Sequence, residues 1–404
     1  TDNGYNGIVW TTDLSTAAAA VQLGFVYYSV VDGNGSDGLQ INNTNDASGQ
    51  SQGFYSYASS FDFNGDDGID ADNYVTSAGL TIQLLDITNS SMSSNADNGM
   101  EVYNSVSGGS LLLQAIVIDD QTYVDENGGN GLEVITGVTG ASVGLLYVDL
   151  LDSSFDNNGE YGAYISTGAT FGSTVLSDIY VDNSTFDGNR TAYYGGGGLF
   201  VGNYAYNDST ITSILDVYDS SFDGNDGRGI LVVNSAVGGG AGLEAYVYSY
   251  VYVDDSSIDG NGAEGFLGTN IAGPTGYVYQ LAVITDSTAD YNSGTGIGVI
   301  NTAFFGGAID QTLIAAYVSA SNNGGDGVGV TNTATNGSTV VSGVGLYFSD
   351  FNDNAYSGIH VVNTADYAGT IGQTLLVTYS TANSNGGSGA LVESDLSNGS
   401  LLAQ

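Results

Sequence analysis

Cysteine and lysine are absent from this chain, and proline (Pro274) and histidine (His360) occur once each. Without cysteine no disulfide framework can stabilise it, and the redox compartment is left open. Basic charge is confined to Arg190 and Arg228, against 44 Asp and Glu, for a net charge of −42. Nothing here could neutralise phosphates, which excludes nucleic acid and an anionic membrane surface as partners. No apolar run approaches the ~20 residues of a membrane-spanning helix, so membrane insertion is excluded as well. Disorder is rejected despite the charge, because 42% of the residues are apolar, enough for a core. A start at Thr1 with no basic or apolar leader is what a cleaved secretion signal, or a trimmed chain, would leave. An acidic, lysine-free surface points to an extracellular or cell-surface setting rich in salt, divalent cations or sugar.

What the chain does have is repetition. The pattern Asn-x-x-x-Gly-apolar returns at Asn3, Asn34, Asn64, Asn95, Asn127, Asn158, Asn189, Asn225, Asn261, Asn292, Asn323, Asn354 and Asn385. Most steps are 31 residues, with longer ones between 189 and 261. After each Gly comes an apolar–x–apolar pair such as Met100/Val102 or Ile297/Val299, whose period of two predicts a strand. Two positions further lies a polar column including Asn43, Asn73, Asn104, Asn234 and Asn301. Three residues before the motif lies an apolar column including Phe61, Met92, Phe155, Phe186 and Phe222, and two before that a Ser/Thr column. Columns of like residues at constant period mark a solenoid whose coils stack as parallel strands about 4.8 Å apart. No 3.6-residue period persists, and the Ala17–Ala20 run lies in phase with a coil and predicts strand. The expectation is an all-β chain of 1–404, one parallel β-helix domain of about 13 coils.

Stretches such as Asp219-Ser-Ser-Phe-Asp-Gly-Asn225 running into Gly229-Ile-Leu-Val-Val-Asn234 resemble the parallel β-helix repeats of the pectate-lyase-like superfamily. That resemblance implies a right-handed helix with three strands per coil. It leaves function open, since the superfamily holds lyases, glycosidases, tailspikes, adhesin passengers and structural proteins. Its lyases use Arg or Lys beside acidic calcium ligands. Here Arg228 stands one coil before Glu264, which predicts an inter-coil salt bridge, with a carboxylate-binding spot as the alternative. Its polygalacturonase-like enzymes carry Gly-His-Gly and Arg-x-Lys; here His360 sits in Gly-Ile-His-Val, facing outward, and no Arg-x-Lys exists. No catalytic residues or cofactor-binding loop are assigned, and the chain is read as a non-enzyme.

Two carboxylate columns stand out. Asp125, Asp156, Asp187, Asp223, Asp259 and Asp290 occupy consecutive coils two residues before the motif Asn. Like charges that close repel by on the order of 1 kcal/mol per neighbour even in water. Either Ca²⁺ bridges them, or each accepts a turn N–H while salt screens the rest; the residues leave both open. A second column holds Asp152, Asn183, Asp219, Asp255 and Asp286. Outward positions beside the inward pair change from Gln40, Asp70, Glu101 and Glu133 to an apolar strip of Phe200, Leu231, Val233, Leu267, Ile300, Val362 and Leu391. With Leu401 and Leu402 in the last coil, and no cap read at either end, these residues predict assembly with further copies of the chain. The expected function is an extracellular filament, sheath or surface-layer subunit. The alternative is a carbohydrate-binding adhesin or tailspike-like protein, suggested by 29 tyrosines, including Tyr193 and Tyr194 in the insertion.

Overall fold

The computed structural model describes residues 4–14, 19–46, 49–190, 196–239 and 242–404. Asn3, Ala17, Ala18, Tyr193 and Tyr194 lie outside the described residues. The chain divides into two compact units, Thr1–Phe200 and Val201–Gln404. Among the described residues there are 26 strands and no helix, and Ala19 opens a strand as its phase predicts.

Both units are parallel β-solenoids built in the same way. Each motif Gly leads into a strand, a short turn reverses the chain into a second strand, and a bend returns it to the next Asn. In the first unit one sheet stacks strands from Ile8–Leu14 to Ala163–Thr170, the other from Ala19–Tyr27 to Thr174–Asp182. In the second unit the corresponding sheets end at Ala390–Leu396 and Leu401–Ala403. Register is in phase with the repeat: Met100 pairs with Leu132, and Ile297 with Val328.

Among the described residues a third full strand, which the resemblance implied, is not formed. In its place neighbouring coils make single parallel pairs, such as Ser60 with Ser91 or Thr288 with Ser319. Left-handed residues bracket this segment: Asn89 (φ 47°) and Ser94 (φ 59°) leave only four residues between them. The same geometry accounts for the second carboxylate column. Asp152, Asn183, Asp219, Asp255 and Asp286 sit at that bend with φ of 46–48°. Asn and Asp tolerate left-handed backbone best among side chains with a Cβ.

Inside, the predicted columns close the core. Phe61, Met92, Val124, Phe155 and Phe186 are fully buried in the first unit, and Phe222, Ile258 and Phe351 in the second. At the turns, the Nδ2 of Asn64 donates to Oδ1 of Asn95 at 3.0 Å, and that of Asn95 to Asn127 at 3.1 Å. Each acceptor also takes the backbone N–H of the preceding Asn, so one amide oxygen satisfies two donors of the neighbouring coil. The motif Gly belongs to this ladder. A Cβ on Gly68 would lie 2.8 Å from Asn95 Nδ2, and one on Gly99 2.8 Å from Asn127 Nδ2. Asn-x-x-x-Gly is therefore an inter-coil pair, the Gly of one coil seating the amide of the next.

Candidate functional site: an acidic groove

The strands set the site. Outward positions of the first sheet in the first unit place Gln40, Asp70 and Glu101 in one row, with Asp72 two residues beyond Asp70. The turn before each strand contributes Asp37, Asp66, Asp67 and Asp97. Together these groups line a groove of about 460 Å³, bordered by Tyr74 and Tyr103. Hydrogen bonds hold its walls, among them Asn98 N–H to Asp67 Oδ1 (2.7 Å), Asp67 N–H to Asp37 Oδ1 (3.3 Å), and Gln40 Nε2 to Asp70 Oδ2 (3.0 Å). Asp37 and Asp67 are buried.

Burial among like charges makes ionisation unfavourable here. Desolvation, reinforced by neighbouring carboxylates, pushes Asp37 and Asp72 each up to about 6. The same cause, burial first, raises Asp67 and Glu101, which share a hydrogen bond. Asp37, Asp66 and Asp67 can each offer an oxygen within 4.8 Å of the others, a donor set suited to a hard cation.

A pH dependence follows with a definite sign. Folded pKa values raised above the unfolded carboxyl value of ~3.9 mean that the folded state binds more protons. Stability contributed by Asp37 and Asp72 is therefore present at low pH and is lost as pH rises through about 6. Intrinsic-rate-corrected amide exchange across 36–103 should be slower at about pH 5 than at about pH 8 in low-salt buffer. Equal protection at both would mean the groove is not desolvated as described.

The predicted Asp column lies elsewhere, half-buried, and is a hydrogen-bond ladder. Asp125 Oδ1 accepts Ser154 Oγ–H (2.7 Å) and Asp156 N–H (2.8 Å) from the next coil. Asp156 accepts Thr185 Oγ1–H (3.0 Å) and Asp187 N–H (2.7 Å). Asp223, Asp259 and Asp290 repeat the pattern with Ser257, Thr288 and Ser319. The acceptor role anticipated for these residues is met by the following coil, rather than by their own turn.

In the second unit the row matching the groove carries partners instead. Arg228 Nε bonds Glu264 Oε2 at 2.7 Å, as the sequence predicts. His360, half-exposed on the outer face, lies 3.2 Å from Asp326 and 3.5 Å from Glu393. The apolar strip is partly self-covered. Phe200 (7% exposed) lies flat on Tyr164, ring centroids 4.4 Å apart. Leu231 and Leu267 are 8% and 5% exposed, and Leu267 leans toward Gly298. Val233, Val362, Leu391 and Leu402 are half-buried. Ile300 at 39% and Leu401 at 66% are its open members.

No family model matches this chain, and no curated protein matches it. Among solved structures it is similar to the A-module of the Azotobacter vinelandii mannuronan C-5 epimerase AlgE4. Identity is 10%, over 88% of this chain and 90% of that one, with a TM-score of 0.21. The parallel solenoid rests on the strand pairing described above and not on that likeness.

Proposed function

We propose that this chain is a non-catalytic structural protein of a cell exterior, assembling side by side with further copies of itself. The observation that carries this reading is the use made of polar side chains. Asn, Asp, Ser and Thr columns bond one coil to the next, as in Asn127 to Asn158 and Asp259 to Thr288, which suits a stiff scaffold. Ile300, the most exposed strip member on the second unit's first sheet, supports a lateral contact.

Copies carrying 44 carboxylates and two arginines must have counter-ions between them to approach closely. Calcium fits this chemistry better than sodium, because it takes several carboxylate oxygens at once. Chelator at low salt should therefore lower the melting temperature and dissolve assemblies, and Ca²⁺ should restore both more than Na⁺ of equal ionic strength. Identical behaviour in the two salts would leave screening as the explanation.

Electron microscopy of native material, with sedimentation of purified protein in Ca²⁺, tests assembly itself. Ordered polymers are expected, and Ile300→Asp should weaken association by about tenfold or more, roughly 1.4 kcal/mol. Protein that stays monomeric at high concentration in calcium would sink the reading. Isolated particles that bind polysaccharide would put the adhesin in its place.

A further inference from the structure

Two adjacent strands of the second unit, Ala245–Asp254 and Gly276–Thr285, turn tyrosines to the outside at alternate positions. The register sets Tyr246 opposite Tyr277 and Tyr248 opposite Tyr279. Rings of neighbouring coils are close: Tyr250 and Tyr279 lie 5.6 Å apart, Tyr248 and Tyr277 6.2 Å, and Tyr246 and Tyr277 6.4 Å. Their planes are tilted by 50–58°, so ring edges approach each other instead of faces sealing against faces. All five side chains are half-exposed, so a small oxidant in solvent can reach them. Proton acceptors are in place. Tyr246 donates its hydroxyl to Glu244, and Asp310 pairs in register with Tyr279 on the following strand.

We infer that this face is a site of oxidative tyrosine coupling, where phenols on adjacent coils join through an ortho carbon–carbon bond. Each of two tyrosines gives one electron and its hydroxyl proton to a two-electron oxidant of the peroxide class, acting through a peroxidase. The two phenoxyl radicals combine at ring carbons ortho to oxygen. The hydrogen on each coupled carbon then moves to the oxygen, restoring both aromatic rings. The pair has lost two hydrogen atoms, and one peroxide has become two waters. Tyr246 is suited to the first step because a carboxylate accepts its proton as the electron leaves, and coupling needs only a small swing of rings already side by side. The alternatives common in structural proteins are closed to this chain, since disulfides need cysteine and amine cross-links need lysine. This inference is independent of whether the chain assembles.

The test uses the full chain, dilute, with a peroxidase and limiting hydrogen peroxide. Dityrosine fluorescence should appear in protein that stays at its starting size. Digestion with a protease that cuts after acidic residues should give linked peptides, two hydrogens lighter, containing Tyr250 with Tyr279, Tyr248 with Tyr277 or Tyr246 with Tyr277. The triple change Tyr246→Phe, Tyr248→Phe and Tyr250→Phe keeps the rings and should remove most of that linked-peptide signal. Circular dichroism checks that this variant is folded, and the wild-type peptide map decides the matter without it. Coupling that maps at equal yield to exposed tyrosines with no tyrosine beside them, such as Tyr291 and Tyr356, or no intramolecular coupling at all, would overturn the inference.

Discussion

Replacing Phe186 by alanine should cost about 3–5 kcal/mol, the range for truncating a fully buried aromatic side chain. The ring is wholly excluded from solvent and lies flat on Phe155, centroids 4.8 Å apart and planes within 5°. The site cannot readily collapse around a smaller residue, because ladder bonds on each coil fix the backbone spacing. Phe155 N–H donates to Thr185 O at 2.8 Å, and Asp187 N–H to Asp156 Oδ1 at 2.7 Å. Gly162 makes the same point from the other side: a Cβ there would come within 2.9 Å of the Phe186 ring. Loss should be largest near the substitution, since coils in a solenoid interact mainly with their neighbours. Urea unfolding monitored by exchange at amides of residues 150–190 would measure it. Phe186→Leu should cost less than about half as much. A cost below about 1 kcal/mol for Phe186→Ala would mean that the ring is not packed as described.

The solenoid was legible because its cause acts at fixed sequence spacing. A residue stacked on its equivalent one coil away must match it, so Asn, Phe and apolar-pair columns appear directly in the sequence. Features assembled from several columns were not legible. The acidic groove joins Asp37 and Asp67 of the turns with Asp70, Asp72 and Glu101 of the strands, and no single period brings those positions together. An inward row of amides on the second sheet was also missed. Asn43 donates to Gln52 at 2.6 Å and Asn73 to Gln83 at 2.8 Å. That row is in phase at Gln52, Gln83 and Gln114, but Leu146 and Ser177 interrupt it, which hides it from inspection. The three-strand expectation failed at the left-handed residues, which only backbone angles reveal. The partial cover of the outer strip was not legible either: an outward-facing Leu267 can lie along the sheet when Gly298 leaves room beside it.

Asn127→Ala should be at least as damaging as the loss of Phe186, although it removes far less volume. Oδ1 of Asn127 accepts both the backbone N–H (3.0 Å) and the Nδ2 (3.1 Å) of Asn95. Its own Nδ2 donates to Asn158 Oδ1 and to Met92 O, each at 3.0 Å. Asn127 is buried, so its removal leaves two donors on Asn95 and the acceptor Met92 O without partners where water is scarce, while Asn158 Oδ1 keeps the residue-127 N–H at 3.0 Å. Each stranded group costs about 1–3 kcal/mol, and three of them with partial relaxation give about 3–6 kcal/mol. The nearly isosteric Asn127→Asp separates hydrogen bonding from packing. A carboxylate can accept from Asn95 but cannot donate to Met92 O, and it faces Asn158 Oδ1 with like polarity. It should therefore destabilise strongly at neutral pH and recover in part on acidification, because a protonated carboxyl regains one donor. Urea midpoints at about pH 7 and about pH 4.5, corrected for the wild type's own change, would read this directly. If Asn127→Asp matches the wild type at neutral pH, the amide ladder does not hold the coils together, and backbone pairing alone accounts for the stack.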